Sequence, residues 1–196
     1  MSTTTLAAQA THALEVKHSR FLAHAAPVAD ADEAAAFIAS VSVPDATHNC
    51  WAWRIGDGYR SSDDGEPAGT AGRPILAAID GQGLDGVAVV VTRWYGGIKL
   101  GAGGLVRAYG GAAAECLRTA ERREVLDLAE IDVECPFADI AAVHAALPVY
   151  DAEKLSEDFA AHGVRFRLRL PAAHVPALAT RLRDATRDRA RLSDNG

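Results

Sequence analysis

Val164-Arg165-Phe166-Arg167-Leu168-Arg169-Leu170 alternates apolar and cationic residues without a break. A period of two is that of a β-strand, so the apolar side chains share one face and the three arginines the other. Upstream, Val125–Glu134 has a strand pattern and Ala138–Leu147 a helical one. Ala152–Ala160 then forms a second strand, joined to the quoted stretch by a short His162-Gly163 turn. Downstream, Pro171–Thr186 reads as a helix and Arg189–Ser193 as a last short strand. The order β-α-β-β-α-β is the ferredoxin-like pattern, which sets the first strand beside the third. Glu130, Asp132 and Glu134 would then oppose the arginine row as a cross-strand charge ladder. Residues 165–191 carry eight arginines against Asp184 and Asp188, a balance of +6 that also suits an RNA platform. Neither row contains the aromatic residues on which such platforms stack bases, so the self-neutralising sheet face is the preferred reading.

The residues before this block have another character. Fifteen of the 17 glycines lie between Gly56 and Gly111, and Trp51, Trp53 and Trp94 all precede residue 95. The composition breaks inside Glu121-Arg122-Arg123-Glu124, so the expected domains are residues 1–123 and 124–196. In the first, apolar alternation from Leu14 and again over Phe21–Val28 predicts two strands. Asp30 or Asp32 caps a helix carrying Ala35, Phe37, Ile38 and Val41, which Pro44 stops. His48–Ile55 alternates as a strand, with Trp51 and Trp53 on one face and Cys50 and Ala52 on the other. A polar, glycine-rich loop follows, then a helix opening at Pro74 and running through Ile79. Val87–Thr92 is continuously apolar and suits a buried strand, and Gly101–Arg122 reads as a long helix with Leu105, Tyr109, Ala112, Cys116 and Ala120 on one stripe. The whole is an α+β chain.

With 196 residues, 49% of them hydrophobic and 23% charged, the chain can bury a real core. A formal net charge of −6 excludes a uniformly basic nucleic-acid coat but leaves room for a local basic patch. Three lysines stand against 17 arginines, with 41 alanines, a bias that fits genome base composition better than function. Cys50, Cys116 and Cys135 are odd in number and widely spaced, which argues against a disulfide framework or an all-cysteine zinc site. No basic flank with an apolar core opens the chain and no run reaches a membrane span, so a cytoplasmic protein with no membrane partner is expected.

Two segments carry candidate chemistry. Asp63-Asp64-Gly65-Glu66-Pro67-Ala68-Gly69-Thr70-Ala71-Gly72 brings three carboxylates within four residues, able to hold a hard cation or act as acid and base. The plainer reading is turn chemistry, with Thr70 capping the next helix. The second segment is Arg93-Trp94-Tyr95-Gly96-Gly97-Ile98-Lys99-Leu100-Gly101-Ala102-Gly103-Gly104-Leu105-Val106-Arg107. A strand leading into a glycine-rich helix start exposes amides to an anion, and Arg93, Lys99 and Arg107 add charge. It has neither the Gly-Lys-Ser/Thr of a P-loop nor dinucleotide spacing. The competing reading is close packing, which Gly110 and Gly111 support, since each mid-helix glycine costs about 1 kcal/mol. His48 and Cys50, on one strand face, suit either a metal or thiolate–imidazole pair or half-buried filler, and filler is preferred.

These residues resemble the IMPACT/YigZ family in its bacterial two-domain form. The resemblance rests on Ala46-Thr47-His48-Asn49-Cys50, on Ser62 through Gly72 and on Arg93 through Tyr109, with Trp94 where the family more often shows Tyr. It implies an N-terminal fold similar to the second domain of ribosomal protein S5 and a ferredoxin-like C-terminal fold. Both are similar to neighbouring domains of elongation factor G, which points by fold analogy to the ribosome or RNA. The family supplies no catalytic residues, no cofactor and no metal, and the protein partner of its eukaryotic members is not expected to carry over.

The resulting expectation is a non-catalytic binding protein, related to translation, that contacts ribosomal or other RNA phosphates. Arg93, Lys99 and Arg107, with Tyr95 beside them, would meet the anion. Gly96, Gly97, Gly101, Gly103 and Gly104 would offer amides. His48, Cys50, Asp63, Asp64, Glu66 and Thr70 would line the adjoining cleft, the carboxylates orienting the cations. The alternatives are a metal-dependent hydrolase using Asp63, Asp64 and Glu66 with His48 as base, and a protein-interaction adaptor.

Overall fold

The computed structural model describes residues 3–194, which form two compact units, Thr3–Val125 and the residues from Leu126 onward. The first unit runs β1 (Thr3–Leu6), β2 (Ala10–Val16), β3 (Ser19–Pro27), α1 (Ala31–Val41), β4 (His48–Ile55) and β5 (Gly58–Ser62). It continues with α2 (Gly72–Gly81), β6 (Val87–Trp94), α3 (Gly101–Thr119) and β7 (Arg122–Val125). Five strands pair antiparallel in the order β2-β3-β6-β4-β5.

The central strand β6 explains the sheet. Val87, Val89 and Val91 point into a core shared with Phe21, Cys50 and Ala52 and with Ile75, Ile79, Leu105, Tyr109, Ala112 and Cys116 of α2 and α3. Ala88 and Val90 point the other way, into a smaller cluster with Ala34 and Phe37 of α1 and with Trp51 and Trp53. A strand covered on both faces has no polar side to show, hence its unbroken apolar run. Asp30 caps α1 as expected, accepting from the Asp32 and Glu33 amides at 2.9 and 2.8 Å.

Three strands of this unit go beyond the sequence reading. β5 lies in the segment expected to be loop and pairs with β4. β1 and β7 pair with each other, Thr3 opposite Val125 through Leu6 opposite Arg122, so α3 ends at Thr119 rather than Arg122. The Glu121–Glu124 segment, expected to mark the change of domain, thus contributes to a strand of the first unit. Leu6 is fully buried, and the Thr5 hydroxyl donates to the Gly86 carbonyl at 3.0 Å.

The second unit runs β8 (Leu128–Cys135), α4 (Ile140–Ala146), β9 (Glu153–Ala160), β10 (Gly163–Pro171), α5 (Val175–Thr186) and β11 (Arg191–Asp194), with short 3₁₀ turns before α4, after it and before α5. Its strand order, β11-β8-β10-β9, puts first beside third and makes the unit ferredoxin-like. The inner face buries Ile131, Val133, Phe166, Leu168 and Leu170 against Val143, Leu178 and Leu182. On the outer face the expected ladder is present: Arg165 pairs with Glu134, Arg167 with Asp132 at 3.3 Å, and Arg169 with Glu130 at 2.7 Å. Among the described residues no helix is long and apolar enough to cross a membrane.

Candidate functional site

Loop 63–71 is organised by side chains reaching far beyond it. The Asp63 carboxylate accepts hydrogen bonds from the backbone N–H groups of Gly69 (2.7 Å), Ala71 (3.1 Å) and Gly72 (2.8 Å). It therefore closes the start of α2, whose N-cap residue Ala71 has no side-chain oxygen. Thr70, expected in that role, instead donates its hydroxyl to the Pro67 carbonyl at 2.6 Å, because Asp63 already occupies the open amides. Burial disfavours the Asp63 charge, but the three N–H donors and nearby Arg73 outweigh it and hold the carboxyl below its usual range. Asp64 accepts the Asn49 amide at 2.6 Å, tying the loop to β4. Gly72 sits where any Cβ would come within 2.9 Å of the Ser62 backbone.

Glu66 is the hub. Its Oε1 accepts from Arg93 Nη1 at 2.6 Å and from the Tyr109 hydroxyl at 2.7 Å, and its Oε2 lies 3.8 Å from His48 Nε2. Four elements thus converge on one carboxylate: the loop, β4, β6 and α3. His48 Nδ1 is 2.7 Å from the Asp64 carbonyl, which can only accept, so Nδ1 carries a proton. The Cys50 thiol donates to the Asp63 carbonyl at 3.0 Å, and burial first, then the surrounding carboxylates, push it up to about 12. A raised thiol pKa works against thiolate formation, and Cys50 is fully buried beside the loop.

Arg93, assigned to a phosphate from sequence, is 5% exposed and turned inward. Beyond Glu66, its Nη2 donates to Ser19 Oγ at 3.3 Å, and its guanidinium carbon lies 5.6 Å from the Phe21 ring centre and 5.4 Å from that of Tyr95. Its buried Nε has no hydrogen-bond partner among the described residues. Burying this cation is tolerable only because the carboxylate and rings replace water.

Lys99 and Arg107 lie apart from this cluster and are exposed, as are Gly97, Gly101 and Gly103. Gly96 is held against the β2–β3 turn: its amide donates to Ser19 Oγ at 3.2 Å, and a Cβ there would stand 2.0 Å from the His18 carbonyl carbon. Only glycine fits. Gly97 and Gly101 adopt φ of 88° and 75°. Among the described residues no side chain caps the start of α3. Tyr95, whose amide bonds Thr47 Oγ1 at 2.9 Å, is 47% exposed.

The same contact brings in residues the sequence reading passed over. Lys17 and His18, both with positive φ, form the turn against Gly96, and exposed Arg20 lies 4.2 Å over the Trp94 ring. Ser19 was not singled out, and Asn49 and Tyr109, though inside the family motifs, were given no role. Only Tyr109, a hydroxyl-bearing ring on an apolar stripe, offered a signal.

The carboxylates accept hydrogen bonds from different partners, Asp63 from the start of α2, Asp64 from β4 and Glu66 from Arg93 and Tyr109. Among the described residues no three His, Cys, Asp or Glu side chains are grouped to hold a metal ion. Against this geometry the sequence comparisons are specific. The Impact N-terminal domain family matches residues 17–117, and a domain of unknown function (DUF1949) matches residues 133–189.

The chain belongs to the IMPACT family. The IMPACT family member YigZ of Escherichia coli is 40% identical over 188 residues, 92% of either chain. An IMPACT family member of Thermus thermophilus is 54% identical over 156 residues, 80% of this chain and 86% of that one. A crystal structure described as a hypothetical protein superposes with a TM-score of 0.69 at 38% identity, covering 100% of this chain and 98% of the other. The buried Glu66 network and the outer glycine loop both fall inside the Impact N-terminal domain.

Proposed function

We propose that this IMPACT family chain is a non-catalytic binding protein of the translation apparatus that holds RNA phosphates on its glycine-rich loop. The observation that carries the reading is the group of exposed basic side chains on the glycine-rich loop and on the turn packed against it. Lys99 and Arg107 belong to the loop and the first turns of α3, Lys17 and Arg20 flank the β2–β3 turn that packs on Gly96, and exposed Tyr95 directly precedes that glycine. Two of the three lysines of the chain sit here. Cations position a phosphate backbone, a helix start favours the anion, and an exposed tyrosine gives a base something to stack on. Glu15, opposite Arg20, is the acid in register with this group. The translation setting rests on the resemblance to ribosomal and elongation-factor domains.

Arg93 takes a different role here from the one its sequence position suggests. Locked on Glu66, it fixes the strand end from which the loop departs. The carboxylates, committed to internal hydrogen bonds, support a binding surface rather than a hydrolytic centre.

The test is RNA filter binding and ribosome co-sedimentation at about 50 and 200 mM salt. Wild type should lose affinity as salt rises, because each neutralised phosphate releases counterion. Lys99→Ala with Arg107→Ala should weaken binding and reduce the salt slope by about 2, with circular dichroism unchanged. Salt-insensitive association of the wild type, or a double variant that binds equally well, would reduce the loop to a packing device.

A further inference from the structure

A second candidate site lies wholly within the ferredoxin-like unit. A cavity of about 770 Å³ opens at the end of its sheet, where the β9–β10 turn, the end of β8 and the start of β11 meet. Across the four strands the row of opposed residues reads Arg191, Glu134, Arg165, Asp158. Such a row should neutralise itself, but its hydrogen bonds are unequal. Glu134 is taken by Arg165, whose Nε donates to it at 2.8 Å. Asp158 accepts the Ser156 hydroxyl at 3.0 Å. The Arg191 guanidinium, at the far edge, has no hydrogen bond or ion pair among the described residues. Arg189 places Nε and Nη2 on Asp139 at 2.8 and 2.7 Å, which leaves its Nη1 hydrogens without a partner among the described residues.

Apart from His162, the other lining residues are apolar or small. Phe159 is 70% exposed at the cavity, with Pro136 and Val164 beside it. Phe159 lies across from Val164 in the strand register, on the opposite side of the strand from Asp158, at the sheet end where residues of both sides border the cavity. The volume is in the range of small-molecule sites, more than a bare phosphate uses. We infer that this cavity binds a nucleoside phosphate, the phosphate on the open guanidinium edges of Arg189 and Arg191 and the base against Phe159. Guanidinium edges match phosphate oxygens in a forked geometry, and a planar base stacks on a phenyl ring without demanding one sequence. Of the lining acids, Glu134 is ion-paired with Arg165, and Asp158 stands opposite the same arginine on the other side in the strand register. This site is independent of the glycine loop, which lies in the other unit.

The inference is tested by titrating the full chain, labelled for amide NMR, with adenosine and uridine monophosphates, with the parent nucleosides, with inorganic phosphate and with a 5′-phosphorylated trinucleotide. The expected result is saturable shifts at residues 134–136, 158–165 and 189–191 for the monophosphates or the trinucleotide. Those two arms separate a free nucleotide from the end of a strand. Arg191→Ala and Phe159→Ala, both at exposed positions, should fold normally and each weaken binding by about tenfold. Binding no tighter than that of inorganic phosphate or the bare nucleoside, shifts confined to the glycine loop, the absence of saturation, or indifference to both substitutions would each overturn it. Shifts confined to residues 95–107 would at the same time favour the loop, so the two sites fail separately.

Discussion

Removing the charge of Glu66 tests the centre of the Impact N-terminal domain most directly. The Glu66 and Arg93 side chains are 4% and 6% exposed, so neither charge can turn to water if its partner is lost. Glu66→Gln keeps the volume and leaves an oxygen for Arg93 and Tyr109, but it strands a buried guanidinium. Breaking one side of such a pair costs about 3–5 kcal/mol. Arg93→Met strands the carboxylate in the same way. In the double variant both charges are gone, and replacing a buried pair by uncharged groups is close to neutral. Its loss should therefore fall about 3 kcal/mol or more short of the sum of the single variants. Urea unfolding followed by tryptophan fluorescence isolates the effect, since Trp51, Trp53 and Trp94 all lie in the Thr3–Val125 unit. With a slope of about 2 kcal/mol per molar urea, each single variant should lower the midpoint by about 2 M. That is a large part of the about 5–15 kcal/mol that holds a domain together. A shift below about 0.5 M for Glu66→Gln, or strict additivity in the double variant, would show that the pair does not anchor the loop.

Asp63 gives the first unit an acid limit. Its folded carboxyl is held below the ordinary value, so its contribution is complete above that value and is lost as pH falls through the folded one. Asp63→Asn should lower the urea midpoint at pH 6 and flatten its decline below about pH 4, and an unchanged decline would remove Asp63 as the cap of α2. In the second unit, Arg167→Glu sets a carboxylate against Asp132 across the strands and should cost about 1 kcal/mol. For a unit this small that is about 4–8 °C in the far-UV melting temperature, and a variant melting like wild type would mean that the ladder contributes nothing.

Much of this architecture was legible before any coordinates. His48–Ile55 is a strand with the limits its alternation shows, Asp30 caps α1, and the arginine row meets the acidic row. The shortfalls have physical causes. β1, β5 and β7 are four or five residues long, too short for a period to emerge from composition. The α2 cap was assigned to Thr70 because helix caps are normally sought next to the helix, whereas Asp63 reaches it from nine residues before Gly72.

What the sequence determined by itself is everything with a local period: the buried central strand, the long glycine-bearing helix, the β-α-β-β-α-β order and the pairing of its charged rows. Periodicity and turn chemistry act between residues a few positions apart, so one chain read in order displays them. The tertiary structure alone decided which charges are free. Arg93 and Lys99 look alike in a basic, glycine-rich stretch, yet folding closes the first onto Glu66, 27 positions away, and onto Ser19, 74 positions away, while the second stays in water. Tyr109 reaches the same carboxylate across 43 positions. Only the packing of α3 and β3 on β6 brings those groups together. A buried ion pair has no period to betray it, because its partners are chosen by the geometry of the core.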